Sequence, residues 1–325
     1  FYERLHEYKK KINEDLTGDL QKYRLLWRKM ISAQDEAELI NDYLLSDYQI
    51  VGVTCVGLAN PHFGLSKSNF DLVVIDEAGK AMPGELLLPI NRARKVIIIG
   101  DHKQLPPVVD PILCKDDMSL QSVKELSEEE HLQFIGKSLF HRLYELSHPS
   151  RRVMLDVQFR MPAVIGDFIS KYFYNGELKN APLVQCKYPL FLQHNLVLID
   201  VCDDKDCYEE KTSDQKGLVN HREADTVAQL IKRIRTHYHQ RIVIITPYKR
   251  QKKIIKTKLN ELDELDPMLN VDTVDSFQGD EAPIVIYCTT RTRYCTDFFS
   301  DYARINVAMS RTNNMLFIVA SSKYL

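Results

Sequence analysis

Asp76 and Glu77 stand directly after the apolar run 70–75, and a pair of carboxylates in that position has a definite chemical use. In open parallel sheets ligands gather at the carboxyl ends of strands, so such a pair would lie at the mouth of a cleft. Phosphoryl transfer needs one carboxylate to position a divalent cation, often through water, and a second group to orient the attacking water. Asp76 suits the first task and Glu77 the second. Acids also end strands for solubility, so the pair alone does not decide. The next apolar run closes on Gly100-Asp101-His102-Lys103-Gln104-Leu105-Pro106-Pro107. Gly100 permits an unusual backbone, the prolines stiffen the chain beyond it, and Gln104 offers an amide donor toward a terminal phosphate.

Three later clusters add to these. Gln158-Phe159-Arg160-Met161-Pro162 precedes a helical run, Asp272-Thr273-Val274-Asp275-Ser276-Phe277-Gln278-Gly279-Asp280-Glu281 leads into a buried strand, and Arg304-Ile305-Asn306-Val307-Ala308-Met309-Ser310-Arg311 precedes the last one. Arg160 and Arg311 carry forked donors and a permanent charge, the right type to stabilise a transferring phosphate. Taken singly, each is an ordinary surface or salt-bridged arginine.

The elements that must position these groups follow from periodicity. Apolar runs at 49–55, 70–75, 95–100, 153–157, 196–201, 242–246, 283–288 and 315–319 predict short strands, and their continuous hydrophobicity predicts cover on both faces. Helical patterns between them imply parallel sheets with helices on either side, an α/β class. Leu5, Tyr8, Ile12, Leu16, Leu20, Tyr23 and Trp27 recur at three-to-four spacing, which predicts a helical, stalk-like segment over 1–48. Pro149 interrupts a helical pattern and places a boundary there. The expected organisation is therefore 1–48 helical, 49–148 as the later part of a first sheet domain, and 149–325 as a second.

At 325 residues and 44% apolar, the chain can bury two cores. No run approaches the roughly 18 apolar residues that cross a bilayer, which excludes a membrane-spanning helix. Seven cysteines without scaffold spacing point to a reducing, intracellular compartment, cytoplasmic or nuclear. Cys202 and Cys207, with His194 near, lack the second ligand pair of a zinc site. A net charge of -2 argues against indiscriminate polyanion binding. Locally, 222–258 holds 11 Lys or Arg against Glu223 and Asp225, which reads either as a basic face beside a groove or as a solvated helix surface.

The order of the clusters carries more than any one of them. Asp76-Glu77-Ala78-Gly79, the Gly100 to Pro107 segment, Gln158-Phe159-Arg160-Met161, Val274-Asp275-Ser276-Phe277-Gln278-Gly279-Asp280-Glu281 and Asn306-Val307-Ala308-Met309-Ser310-Arg311 resemble motifs II to VI of superfamily 1 helicases, in the family's order. The likeness to the superfamily 1B group, which includes senataxin and the nonsense-mediated-decay helicase, extends to 53–57 and 245–248. It implies two RecA-like domains, the first truncated on its N-terminal side, with ATP between them and single-stranded nucleic acid, RNA or DNA, across their top. By motif matching, Asp76 would hold Mg2+ through water, Glu77 would activate water, Gln104 would sense the terminal phosphate, and Arg160 and Arg311 would be arginine fingers. Gly100, Asp101, Phe159, Gln278 and Glu281 match nucleotide-site positions, and Thr54, Thr246, Pro247 and Thr273 match positions at the nucleic-acid backbone, where contacts do not read sequence.

Lys80, Phe159 and Ser310 depart from the common Gln, Tyr and Thr of relatives. The glycine-rich phosphate loop that precedes motif II in this family is absent from these residues and is expected upstream of Phe1. Gly136-Lys137-Ser138 is a decoy, with His131 where a loop would need Gly. The expectation is an ATP-dependent helicase or translocase in the complete protein, with residues 1–325 alone inactive. The alternative is a non-hydrolysing relative that binds nucleic acid or partners.

Overall fold

The computed structural model describes residues 25, 48–60, 65, 68–107, 138–182, 193–201, 207–211, 217–262, 266–277, 279–293 and 301–323. The helical segment expected over 1–48, apart from Leu25 and Tyr48, lies outside them, as do Gln278, Cys202 and the Gly136-Lys137 pair. Contacts group Phe1–Gly100 with Pro107–Phe140 as one unit, and Asp101–Pro106 with His141–Leu325 as a second.

In the first unit, β1 (Phe70–Ile75) and β2 (Ala93–Ile98) pair in parallel, from Phe70↔Ala93 to Ile75↔Ile98, joined by α1 (Pro83–Ile90). Helix α1 starts where it does because Pro83 suits the first turn and Glu85 Oε2 accepts the orphan Met82 N–H at 2.9 Å. Ile75, Ala78, Leu86 and Phe140 form the core. Strand side chains alternate between faces, and the described elements cover only one of them: Leu72 and Val74 on β1 remain 50% and 55% exposed. Among the described residues, therefore, this pair is covered on one face. Residues 49–55 do not form a strand. Thr54 begins a turn instead, its Oγ1 accepting Gly57 N–H at 3.0 Å and its carbonyl accepting Leu58 N–H at 3.0 Å, a local bond that competes with sheet pairing.

Chain order continues with α2 (Leu139–Leu146), β3 (Val157–Gln158), α3 (Ala163–Phe173), β4 (Lys179–Asn180), β5 (Leu196–Asp200), β6 (Glu210–Lys211) and β7 (Leu218–Val219). Then come α4 (His221–Arg235), β8 (Ile242–Thr246), α5 (Lys249–Glu261), β9 (Leu269–Thr273), β10 (Ala282–Cys288), α6 (Tyr302–Met309) and β11 (Thr312–Ala320). Of the strand expected over 153–157 only Val157 is in a strand, the two-residue β3, which pairs with β4.

The second unit is built on a five-stranded sheet, order β5-β11-β10-β8-β9, every neighbour parallel. Its central strands show why their sequences are apolar throughout. Ile242, Ile244, Ile284, Ile286, Met315 and Phe317 point into one core with Ala224, Val227 and Ile231 of α4 and Ile255 and Leu259 of α5. Val243, Ile245, Val285, Tyr287, Leu316 and Ile318 point into the other, with Ile165 and Ile169 of α3 and Val307 and Met309 of α6. Each such side chain contributes about 1.5–3 kcal/mol of transfer free energy. Strand β9 lies at the edge and alternates, Leu269 and Val271 inward, Asn270 and Asp272 half-buried. This α/β unit has the parallel architecture that the RecA-like resemblance implies.

Candidate functional site

At the end of β1, Asp76 and Glu77 are both exposed. Asp76 Oδ1 accepts Glu77 N–H at 2.8 Å, which fixes the carboxylate's rotamer. Glu77 has φ 53°, a left-handed conformation uncommon for a residue with a Cβ and a recurrent mark of functional turns. The strand's ladder continues past it through Ile99 N–H to Ile75 O at 2.8 Å and Ala78 N–H to Ile99 O at 2.9 Å. Gly100 comes next, and a Cβ there would stand 2.8 Å from Gly79 N and 3.2 Å from the Phe140 ring, so the close passage of the two chain segments requires glycine. Lys80 is exposed, its N–H bonded to Glu77 O at 3.1 Å.

In the second unit the sequence-predicted groups form three clusters. One is set by Gln158, whose carboxamide closes the Gln-Phe-Arg-Met turn. Its Oε1 accepts Arg160 N–H at 2.9 Å and Met161 N–H at 2.7 Å, and its Nε2 donates to Met161 O and to Asn180 Oδ1, both at 2.8 Å. Arg160 is thereby aimed at Glu281 Oε2, 2.9 Å from its Nε, and at Ser310 O, 3.3 Å from its Nη1. Both partners are half-exposed, so the ion pair holds orientation more than it stabilises, at about 0–1 kcal/mol. Phe159 projects from the same turn, 77% exposed. Gly279 has φ +90°, the conformation that lets the chain turn before Asp280 and Glu281. Arg241 binds both Asp280 oxygens and Glu281 O, and the Arg241 guanidinium holds the Asp280 carboxyl below its usual range.

The second cluster joins Asp101, Gln104 and Arg311. Arg311 is 3% exposed; its Nε donates to Val307 O at 3.2 Å and its Nη2 to Gln104 Oε1 at 2.6 Å. Gln104 Nε2 donates to Asp101 Oδ2 at 2.9 Å. His102 stacks on Tyr144 at 4.5 Å, and burial lowers its pKa.

A third group lies at the carboxyl ends of β8, β9 and β10. Thr246, Pro247 and Thr273 are buried, Thr246 Oγ1 meeting Thr290 Oγ1 and Thr273 Oγ1 meeting Ser276 Oγ, each at 3.0 Å. Both hydroxyls are covered by protein in this arrangement. Thr54, in the first unit, is exposed. Behind the strand ends sits Glu223, wholly buried. Its carboxyl accepts Thr289 Oγ1–H at 2.8 Å and Thr290 N–H at 2.7 Å, and burial raises its pKa to about 8. Thr290 has φ 66°, and Asn220 Nδ2 donates to its carbonyl at 3.2 Å. Neither Gln158 nor Glu223 stood out as a site residue in the sequence. Glu223 is detectable in retrospect, because it falls four residues before Val227 on the buried stripe of α4.

These motifs, in this order, are those of superfamily 1 helicases. Residues 135–323 match the AAA domain family and residues 2–110 match a second AAA domain family, and the chain belongs to this family. It is 30% identical to an uncharacterized ATP-dependent helicase of Methanocaldococcus jannaschii, covering 92% of this chain and 43% of that protein. It is 29% identical to regulator of nonsense transcripts 1 of Dictyostelium discoideum over 99% of this chain and 24% of that protein. With the mouse 5'-3' DNA helicase ZGRF1 it shares 31% identity over 86% of this chain and 14% of that protein. The chain thus spans less than half the length of each of these relatives. No helix among the described residues is long and apolar enough to cross a membrane.

Proposed function

We propose that the full-length protein hydrolyses ATP and uses the energy to move along single-stranded nucleic acid, RNA or DNA. The observation that carries this reading is the bond from the buried Arg311 guanidinium to the Gln104 amide. It joins a cation and an amide of the types that stabilise and sense a transferring phosphoryl group. Names of relatives support it, since one is an ATP-dependent helicase and another a DNA helicase.

Asp76, an exposed carboxylate with hard oxygens, fits Mg2+ held through water; when bound, the ion would neutralise charge on the phosphates. Glu77 accepts a proton from the attacking water and orients it, its left-handed backbone turning the side chain out of the line of β1. Arg160 and Arg311 stabilise charge on the transferred group, while Gly100, Asp101, Phe159, Gln278 and Glu281 shape the nucleotide site. Thr54 meets the nucleic-acid backbone directly, and Thr246, Pro247 and Thr273 act at the same surface. The domain limits of this reading are 49–148 and 149–325. The test is ATP turnover by the full-length protein with and without single-stranded RNA or DNA. Stimulation by either is expected; binding of nucleic acid without any turnover would identify a non-hydrolysing relative.

A further inference from the structure

Tyr174, at the C-terminal end of α3, belongs to none of the helicase motifs, yet its phenol stands at the centre of the Asp101 cluster. Its hydroxyl donates to Asp101 Oδ2 at 2.5 Å and accepts from Asn306 Nδ2 at 2.9 Å. The same Asn306 nitrogen donates to Lys103 O at 3.0 Å, and Asp101 Oδ1 accepts Lys103 N–H at 2.9 Å. Asn306 is fully buried and Tyr174 half-buried. Burial, then the Asp101 carboxylate, push the phenol's pKa up, so it stays a donor at neutral pH.

The consequence falls on Gln104. A carboxamide can present either its oxygen or its nitrogen to a neighbour, and nothing in its own shape chooses. Here Asp101 Oδ2 takes the nitrogen at 2.9 Å, so the oxygen is left facing Arg311, whose guanidinium has donors only. Asp101 and Arg311 select the same orientation from opposite sides, and the second anchor on the Asp101 oxygen is the Tyr174 hydroxyl.

We propose that Tyr174, with Asn306, is a positioning residue for the hydrolytic reaction: it pins the Asp101 carboxylate and thereby holds the Gln104 amide in place against Arg311. This rests on the reading of Gln104 and Arg311 as groups of the nucleotide site. Tyr174 itself does not touch the reacting atoms. Its loss is felt in turnover through Gln104 and leaves nucleotide affinity nearly unchanged, because a misdirected sensing group matters mainly in the transition state.

The experiment measures kcat, KM for ATP and thermal midpoint in the full-length protein for Tyr174→Phe, Asp101→Asn, Gln104→Ala and the double variant Y174F/Q104A. Phe keeps the ring and its packing; Asn is isosteric with Asp and breaks the same lock from the other side. Expected is a kcat loss of roughly tenfold for Y174F and for D101N, with KM within about twofold. In the Q104A background Y174F should add less than about twofold, since both changes act on one group. An undiminished Y174F penalty in that background, or a lowered thermal midpoint with kcat intact, would overturn the proposal and leave Tyr174 a fold anchor. If Q104A itself leaves kcat unchanged, the nucleotide-site reading fails first and this inference falls with it.

Discussion

The two units support their functional groups in opposite ways. In the first, Asp76 and Glu77 stand exposed at the end of a two-stranded ladder whose outer apolar face is open among the described residues. In the second, Arg311, Asn306, Glu223 and Thr290 are buried among hydrogen bonds behind or beneath a sheet packed on both faces. A group in water can be altered with little consequence for folding, whereas a buried polar network makes fold and function share the same bonds. The difference teaches which losses of activity will be separable from losses of stability.

The sharpest separation is expected at Glu77. Glu77→Gln in the full-length protein should cut turnover by roughly two orders of magnitude or more, as the water loses its base, with nucleotide binding and thermal midpoint nearly intact. A matching fall in midpoint would break the comparison at its strongest point. Arg311→Ala should cost roughly a hundredfold in turnover together with a measurable loss of stability, because it empties a buried site and strands the Gln104 carbonyl. Arg160→Ala, from a half-exposed position, should cost roughly tenfold and leave stability unchanged. Equal midpoints for the two arginine variants would remove the contrast between buried and exposed support.

Asn220→Ala probes the buried network away from the motifs. Asn220 caps α4 through Glu223 N–H at 2.9 Å and donates to Cys207 O at 3.0 Å and to Thr290 O. Its loss should destabilise by about 2–3 kcal/mol in denaturant titration, the sum of a cap and orphaned buried carbonyls. The smallest effect is one of pH. Burial raises the Glu223 pKa from an ordinary carboxyl value to about 8, so between pH 4.5 and about 8 the folded state holds a proton that the unfolded state has released. Stability contributed by this group is complete below the unfolded value and is lost as pH rises through 8. Glu223→Gln, which keeps an acceptor for Thr290 N–H and does not titrate, should flatten that decline; a slope unchanged by the variant would mean the carboxyl is ionised in the fold.

Much of this arrangement was legible in the residues. β1 and β8 fall where unbroken apolar runs place them, because strands covered or half-covered by helices leave that mark. β9 escaped, since an edge strand alternates and Leu269-Asn270-Val271-Asp272-Thr273 reads as loop when only continuous runs are sought. Residues 49–55 misled in the other direction, their apolar composition overridden by the Thr54 turn. The motif order supplied the candidate reacting groups, but not what holds them. Gln158, Tyr174, Asn306 and Glu223 act through partners 2 to 203 residues away, and such pairings are properties of the fold and leave no periodic trace in sequence.

The turn closed by Gln158 has a practical use. The clamp from Gln158 engages the backbone of residues 160 and 161 and not the side chain of the residue it passes over, so Phe159 can be exchanged without disturbing Arg160. Trp27 is the chain's single tryptophan. With Trp27 replaced by Phe, Phe159→Trp would leave one indole within residues 1–325, mounted on a fixed socket and open to solvent, whose emission would shift to the blue when any planar ligand came to rest on it. The motor would then carry its own optical gauge of occupancy, one residue from an arginine that the gauge leaves untouched.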